Sequence, residues 1–322
     1  MSFCTDGASK TSLEHASSCV IPTTWQEYPL LSVTPYNHNT SVFEFGLRRR
    51  GDSTTDDPVS LNLPVCSCIL MGNVPRGDDE TMQVRPYTPI SDNSMLGKFQ
   101  LLIKRYPAWG SPTFPQNYKP PGVMSNYIHN LKVGATVRFK HIAVNIKKPY
   151  PFTGIKTITM LAVGVGIAPM LQALHSVLTT TGDTTKVVLL YGNRAVADIL
   201  MRERLEAWAD KDRDRFKLVF CVGTRWKKFI VGGGTANVKK PPPPEGFEGL
   251  TNAAIGIVGV EGWINEQHVK TFAFPPANDT QVFVCGLPSV YDSLCGPRNE
   301  KTLTPSSVLR RLGYTEEMVF KF

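Results

Sequence analysis

The chain has 322 residues, 42% of them hydrophobic and 19% charged, with a formal net charge of +8. That length exceeds what one hydrophobic core usually organises, so two domains are expected, and the composition excludes a fibrous or wholly disordered chain. The basic balance, with a pI of about 9.1, suits an anionic partner but does not choose between a nucleic acid, a membrane surface, an acidic protein and a phosphorylated cofactor.

The N-terminal stretch MSFCTDGASKTSLEHASSCV has neither the basic start and apolar core of a signal peptide nor an arginine-rich presequence. It reads as part of a polar, disordered tail over residues 1–27, and a cytoplasmic location is the expectation. From about residue 28 to 150 short strand-like segments follow one another. SVFEFGL (Ser41–Leu47) alternates apolar and polar residues, and PVCSCILMG, MQV, GKFQLLIKRY and ATVRFKHIAVN are further strand candidates. RRRGDSTTDDP (Arg48–Pro58) is a charged loop, and GVMSNYIHNL (Gly122–Leu131) has the spacing of a short helix. Many short strands with one short helix predict an antiparallel β-barrel.

The pattern changes after the proline-rich KKPYPFTG (Lys147–Gly154). KTITMLAVG, KVVLLYGN, FKLVFCVG and TQVFVCG are apolar runs of strand length. Between them, APMLQALHSVLTT (Ala168–Thr180), DILMRERLEAWADK (Asp198–Lys211) and INEQHVKTF (Ile264–Phe272) have helical periodicity. This alternation over residues 151–322 predicts an α/β domain with a doubly wound parallel sheet, its ligand at the carboxyl ends of the strands. Arg225–Trp263, with a triple glycine and four consecutive prolines, breaks the rhythm and reads as a surface insertion. No apolar window is long enough for a transmembrane segment. The scattered, odd set of seven cysteines argues for a reducing compartment, and the lone C-x-C pair, Cys66 and Cys68, makes no metal site.

Three motifs carry chemistry. Gly164-Val165-Gly166-Ile167-Ala168-Pro169 joins the first strand of the second domain to its first helix. Paired glycines admit a ligand to the backbone and the helix start presents free N–H groups, although a tight turn accounts for the same residues. Pro169 keeps the loop from being a G-x-G-x-x-G fingerprint. Cys285-Gly286-Leu287-Pro288 ends the last apolar run and falls at the same sheet edge. In the first domain, RPYTPIS (Arg85–Ser91) sets a phosphate-pairing arginine beside an aromatic ring and hydroxyls, stiffened by prolines.

In this order the three motifs resemble the NADH–cytochrome b5 reductases of the ferredoxin–NADP reductase superfamily. RPYTPIS is identical to that family's flavin motif, GVMS resembles its pyrophosphate-binding G-x-M-S, VGVGIAPML its G-G-T-G-I-T-P-M-L and CGLP its C-G-P-P. The likeness runs from about residue 28 to the end. It implies an FAD-binding barrel over residues 28–150 and an NAD(P)H-binding domain over 151–322. Arg85 would pair with the pyrophosphate, Pro86 would stiffen its strand, Tyr87 would pack along the flavin and Thr88 would lie near the flavin N5. Ile103, Lys104 and Tyr106 would line the FAD site, with Gly122, Val123, Met124 and Ser125 at the pyrophosphate. Gly164, Gly166, Ala168 and Pro169 would face the nicotinamide, and Cys285 and Gly286 would close on it, making Thr88 and Cys285 the catalytic candidates. The implied reaction is hydride transfer from NADH, or NADPH, to FAD, then single-electron release to an acidic haem protein such as cytochrome b5. A monomer without nucleic-acid partners is expected.

The departures are specific. Val163, Val165 and Ala168 replace a glycine and two threonines, Leu287 replaces a proline, and LPVCSC (Leu63–Cys68) stands where the family shows L-P-V-G-Q-H. After KLVFCV, Gly223-Thr224-Arg225-Trp226 lacks the family's usual aspartate, which relaxes selectivity between NADH and NADPH. Two alternatives stay open: a flavin reductase with a quinone or small oxidant as acceptor, and a flavin-bearing redox-sensing or interaction module.

Overall fold

The computed structural model describes residues 19–48, 58–73, 81–113, 116, 118–142, 148–223 and 244–322. Six strands build the first domain: β1 (Gln26–Asn37), β2 (Thr40–Gly46), β3 (Ile69–Gly72), β4 (Val84–Tyr87), β5 (Lys98–Lys104) and β6 (Thr136–His141). They pair antiparallel in the order β4-β3-β6-β1-β2-β5. Period-two alternation sends Phe43 and Phe45 of β2, Phe99 and Leu101 of β5, and Val137 and Phe139 of β6 into one buried cluster. Phe45, Phe99 and Phe139 meet at its centre with ring centroids 4.9, 5.2 and 5.4 Å apart, the spacing of packed aromatic pairs. The helix α1 (Val123–His129) covers this core with Met124 and Ile128. The loop joining β4 to β5 is tied to β5, where Ile90 N–H donates to Gln100 O at 2.9 Å and Gln100 N–H donates to Ser91 Oγ at 3.0 Å.

The second domain alternates as its periodicity predicts: β7 (Thr157–Val163), α2 (Ile167–Thr179), β8 (Lys186–Asn193), α3 (Arg202–Lys211), β9 (Phe216–Val222), β10 (Ile257–Glu261), α4 (Glu266–Phe272), β11 (Thr280–Cys285), α5 (Pro288–Leu294), α6 (Val308–Arg311) and β12 (Val319–Lys321). Its strands pair in parallel in the order β10-β9-β8-β7-β11-β12. The chain runs outward from β7 to β10 on one side and returns to β11 and β12 on the other. The order therefore reverses between β7 and β11, and in doubly wound sheets ligands bind at that switch point. No helix among the described residues is long and apolar enough to cross a membrane.

Several expectations need correction. Within the tail expected to be disordered, residues 19–27 are placed: Ile21 is fully buried, Cys19 nearly so, and Val20 N–H donates to Leu61 O. These apolar residues seal the barrel core; residues 1–18 lie outside the described residues. Gln26–Asn37 forms a long strand with Pro29 and Pro35 inside it, and its pairing with β2 is irregular at Leu30/Ser32 and Pro35/Asn37. Of RPYTPIS, Arg85, Pro86 and Tyr87 belong to β4, and Thr88 to Ser91 lead away from it. The stretch read as an insertion over 225–263 ends in β10, which pairs with β9 along its whole length. Its glycine run and the prolines at 241–243, with Thr224, Arg225 and Trp226, and the loop over 49–57 lie outside the described residues.

The two domains share a core. Cys66, Ile90 and Leu102 of the first pack with Ile167, Ala168, Leu171 and Phe322 of the second in one buried cluster. Polar contacts reinforce it: Arg204 Nη1 donates to Ile90 O at 2.8 Å and Gln172 Nε2 to Pro89 O at 3.4 Å. The carbonyls of the RPYTPIS segment are thus held from α2 and α3 of the other domain.

Candidate active site

The flavin half of the site grows from β4, the end of β5 and the start of α1. Arg85 is exposed, and one of its guanidinium N–H groups donates to Val84 O at 2.7 Å. Tyr87 packs partly against the barrel core, and burial pushes its hydroxyl up to about 12, so it stays a neutral phenol. Tyr106 is tied to α1 by three bonds: its N–H donates to Ser125 Oγ at 3.2 Å, and its carbonyl accepts from Gly122 N–H at 2.9 Å and Asn126 Nδ2 at 2.8 Å. A side chain on Gly122 would lie 3.1 Å from Tyr106 Cβ and 2.7 Å from Ser125 Oγ, so only glycine lets strand and helix approach this closely.

The first turn of α1 contains no acidic residue and no side-chain cap. Its leading N–H groups are therefore left for another acceptor, next to Tyr106 and in the same domain as Arg85 and Tyr87. This donor set fits a dinucleotide with an anionic pyrophosphate and a flat ring. Placement refines the individual roles. Met124 and Ile103 send their side chains into the barrel core, so they face a ligand only through the main chain. The Ser125 hydroxyl already donates to Gly122 O at 3.0 Å and accepts from Tyr106; it shapes the helix start. Val123 is exposed at that helix start.

The nucleotide half sits at the switch point. Gly164 takes φ +55, the left-handed region, and opens the turn that leads from β7 into α2. Its carbonyl accepts from Tyr191 Oη at 2.9 Å, and that hydroxyl accepts from Leu200 N–H at 3.3 Å. Gly166 is required for a different reason: a Cβ there would fall 2.3 Å from Cys285 O and 2.7 Å from Cys285 C. The glycine loop and the CGLP turn are therefore in backbone contact. The β7–β11 ladder, which pairs Cys285 with Ala162, puts them side by side. Ala168 and Pro169 are buried in α2 and shape the loop from beneath. Cys285 is half-buried, and burial pushes its thiol up to about 11, which keeps it neutral. Thr88 is half-buried between β4 and the interdomain anchors at Pro89 and Ile90.

Lys104 links the halves, though its partner is a protein carboxylate. Its Nζ lies 3.5 Å from Asp198 Oδ1, where Arg194 Nε also approaches Oδ2 at 3.0 Å and His38 Nε2 approaches Oδ1 at 3.5 Å. Burial raises the Asp198 pKa, but Lys104 and then Arg194 outweigh it, and the carboxyl lies below its usual range. Neither Asp198 nor Tyr191 stands out in the sequence. One is a lone acid after β8, the other an aromatic inside an apolar run, and only the fold shows their partners.

Comparison with known proteins agrees with this geometry. The chain matches the oxidoreductase FAD-binding domain over residues 27–146 and the oxidoreductase NAD-binding domain over residues 160–235. NADH-cytochrome b5 reductase 2 of Debaryomyces hansenii is 31% identical over 302 residues, covering 92% of this chain and 83% of the relative. The protein of the same name from Candida albicans is also 31% identical, over 304 residues with the same coverage. Among solved structures, the cytochrome b5 reductase domain of Ulva prolifera nitrate reductase superposes with a TM-score of 0.69 at 26% identity, covering 94% of this chain and 98% of that one. Human Ncb5or, at 19% identity over 92% of this chain and 68% of that one with a TM-score of 0.56, shares the fold. The paired FAD- and NAD-binding domains, in this order and with relatives matched along most of both chains, establish that the chain belongs to the NADH-cytochrome b5 reductase family.

Proposed function

We propose that this chain takes a hydride from NADH onto bound FAD and passes electrons singly to a haem protein such as cytochrome b5. The observation that carries the reading is the Gly166–Cys285 backbone contact at the switch point, in a domain whose α2 and α3 grip the RPYTPIS strand end. FAD supplies the chemistry when bound, accepting two electrons as a hydride and releasing them one at a time. The chain's own residues do the rest. Arg85 and the α1 start hold the pyrophosphate, Tyr87 and Tyr106 flank the flat parts of the cofactor, Gly164 lets the nicotinamide reach the backbone, and Gly166 lets the glycine loop close on the CGLP turn. Cys285 packs against that ring as a neutral thiol, and Thr88 presents its hydroxyl to the flavin. Alignment and exclusion of water are what the protein contributes.

NADH is favoured because the relatives carry it in their names. The absence of a carboxylate at Gly223, where Trp263 packs instead, argues for some use of NADPH as well. The net charge of +8 supports an acidic acceptor by steering encounter. Mixing the anaerobically reduced protein with oxidised cytochrome b5 tests the acceptor. Rapid haem reduction that slows as salt is raised is expected. A flavin that stays reduced in the presence of cytochrome b5 but is oxidised by a quinone would replace this acceptor with the alternative one.

A further inference from the structure

The interface between the two domains is hollow beside the end of RPYTPIS. A cavity of about 250 Å³ opens there, walled by Leu61, Leu63 and Asp92 of the first domain and by Leu171, His175 and Arg204 of the second. Across a void the facing surfaces lose their dispersion contacts, so packing alone does not set their spacing there. Two side chains that line the cavity reach over to the other domain instead. Arg204 Nη1 donates to Ile90 O at 2.8 Å, a charge-assisted bond, and Gln172 Nε2 donates to Pro89 O at 3.4 Å.

The Arg204 guanidinium is aimed by its surroundings. Trp208 stands one turn further along α3, and Arg204 Cζ lies 4.6 Å from the centre of its ring. Arg204 Nη2 lies 3.9 Å from Asp92 Oδ2, and Asp92 is itself fixed by accepting Ser94 N–H at 2.9 Å. The receiving carbonyl is equally fixed, since Ile90 is 3% exposed and its N–H donates to Gln100 O on β5 at 2.9 Å. Only Pro89, with its locked φ, separates Ile90 from Thr88. At the other end, the residues leading into α3 are tied to the glycine loop. Tyr191 Oη accepts from Leu200 N–H at 3.3 Å and donates to Gly164 O at 2.9 Å. A short bonded path thus runs from Gly164 through Tyr191, Leu200 and Arg204 to Ile90.

We propose that Arg204 is a positioning residue for hydride transfer: by holding Ile90 O across the hollow interface, it fixes the flavin-side strand end, and Thr88 with it, at one distance from the glycine loop. This inference rests on the hydride-transfer reading above. Arg204→Met keeps an unbranched stem of good helix propensity and removes the donors. Two readouts test it. One is anaerobic flavin reduction over a range of NADH concentrations. The other is the long-wavelength absorbance that appears when NAD+ is added to the reduced protein, which arises only where the reduced flavin and nicotinamide rings stack. Reduction at saturating NADH should slow by about 10- to 100-fold, the effect of a misplacement of up to about 1 Å arising away from the chemistry. The stacking absorbance should weaken, while the apparent Kd for NADH and the FAD content stay as in the parent.

An unchanged rate, a slowed rate with the stacking absorbance intact, or a slowed rate that only tracks lost FAD would each overturn the proposal. A parent protein that NADH does not reduce sinks the hydride-transfer reading and this inference with it, whereas a parent that is reduced leaves the variant to decide on Arg204 alone. Should Arg204→Met fail to fold, Gln172→Met decides by removing the second, longer bond across the cavity: a smaller slowing with weakened stacking absorbance supports the proposal, and the parent's rate and absorbance overturn it.

Discussion

Replacing Gly166 with alanine perturbs the site by one methyl group at its most crowded point. The backbone there is helical, with φ −62 and ψ −5, so alanine meets no conformational penalty and the effect is purely steric. The new Cβ would stand 2.3 Å from Cys285 O, 2.7 Å from Cys285 C and 3.1 Å from Gly286 N. All three are main-chain atoms that cannot rotate aside. Reaching ordinary contact requires the glycine loop and the CGLP turn to separate by about 1 Å, and a misplacement of that size can cost about 100-fold in rate. Overpacking should also cost about 1–3 kcal/mol of stability. The FAD seat is built on β4, β5 and α1, away from the collision, so flavin content should hold. Stopped-flow reduction by NADH of the FAD-loaded variant checks this, with Gly249→Ala as the contrast, since a Cβ there meets no atom within 4 Å and the position lies away from the glycine loop. A Gly166→Ala protein reduced as fast as the parent would show that the loop–turn contact does not set the nicotinamide's position.

Arg85→Ala should weaken FAD binding by about 10- to 100-fold, the worth of a charge-assisted hydrogen bond to phosphate. Titrating the apoprotein with FAD by flavin fluorescence measures it, and an unchanged Kd would remove Arg85 from the pyrophosphate site. Asp198→Asn should destabilise the protein by about 1–2 kcal/mol near neutral pH, because Lys104 and Arg194 lose their shared carboxylate. The sign of its pH dependence follows from the depressed folded-state pKa. The stabilisation is complete above the ordinary value of 3.8 and disappears as pH falls through the lower folded value, so the gap between parent and variant should close below about pH 4. Thermal unfolding of both proteins across that range checks it, and a gap that does not change with pH would contradict the pairing.

Much of the second domain was legible because buried parallel strands read as continuous apolar runs. Lys186–Asn193 was expected as a strand and forms β8 between the same two residues. Where a backbone feature intervened, the pattern misled. The helix expected from Asp198 begins at Arg202, because Met201 takes a left-handed φ of +57 and a tight turn occupies Val196–Asp198. In LPVCSC only structure shows that Cys66 sits at φ +63 with its side chain buried between the domains, in a turn where a glycine would be unstrained. The cofactor motifs were readable as local strings with fixed chemistry. Asp198 and Tyr191 were not, since each acts through a residue far away in the chain: Lys104 for the first and Gly164 for the second.

The most direct test of the central claim is anaerobic mixing of the purified, FAD-loaded protein with NADH while the flavin absorbance is followed. The account predicts rapid, complete bleaching, with NADPH slower but measurable. A flavin that stays oxidised with both nucleotides would contradict hydride transfer at this site and leave the chain as a flavin-binding module.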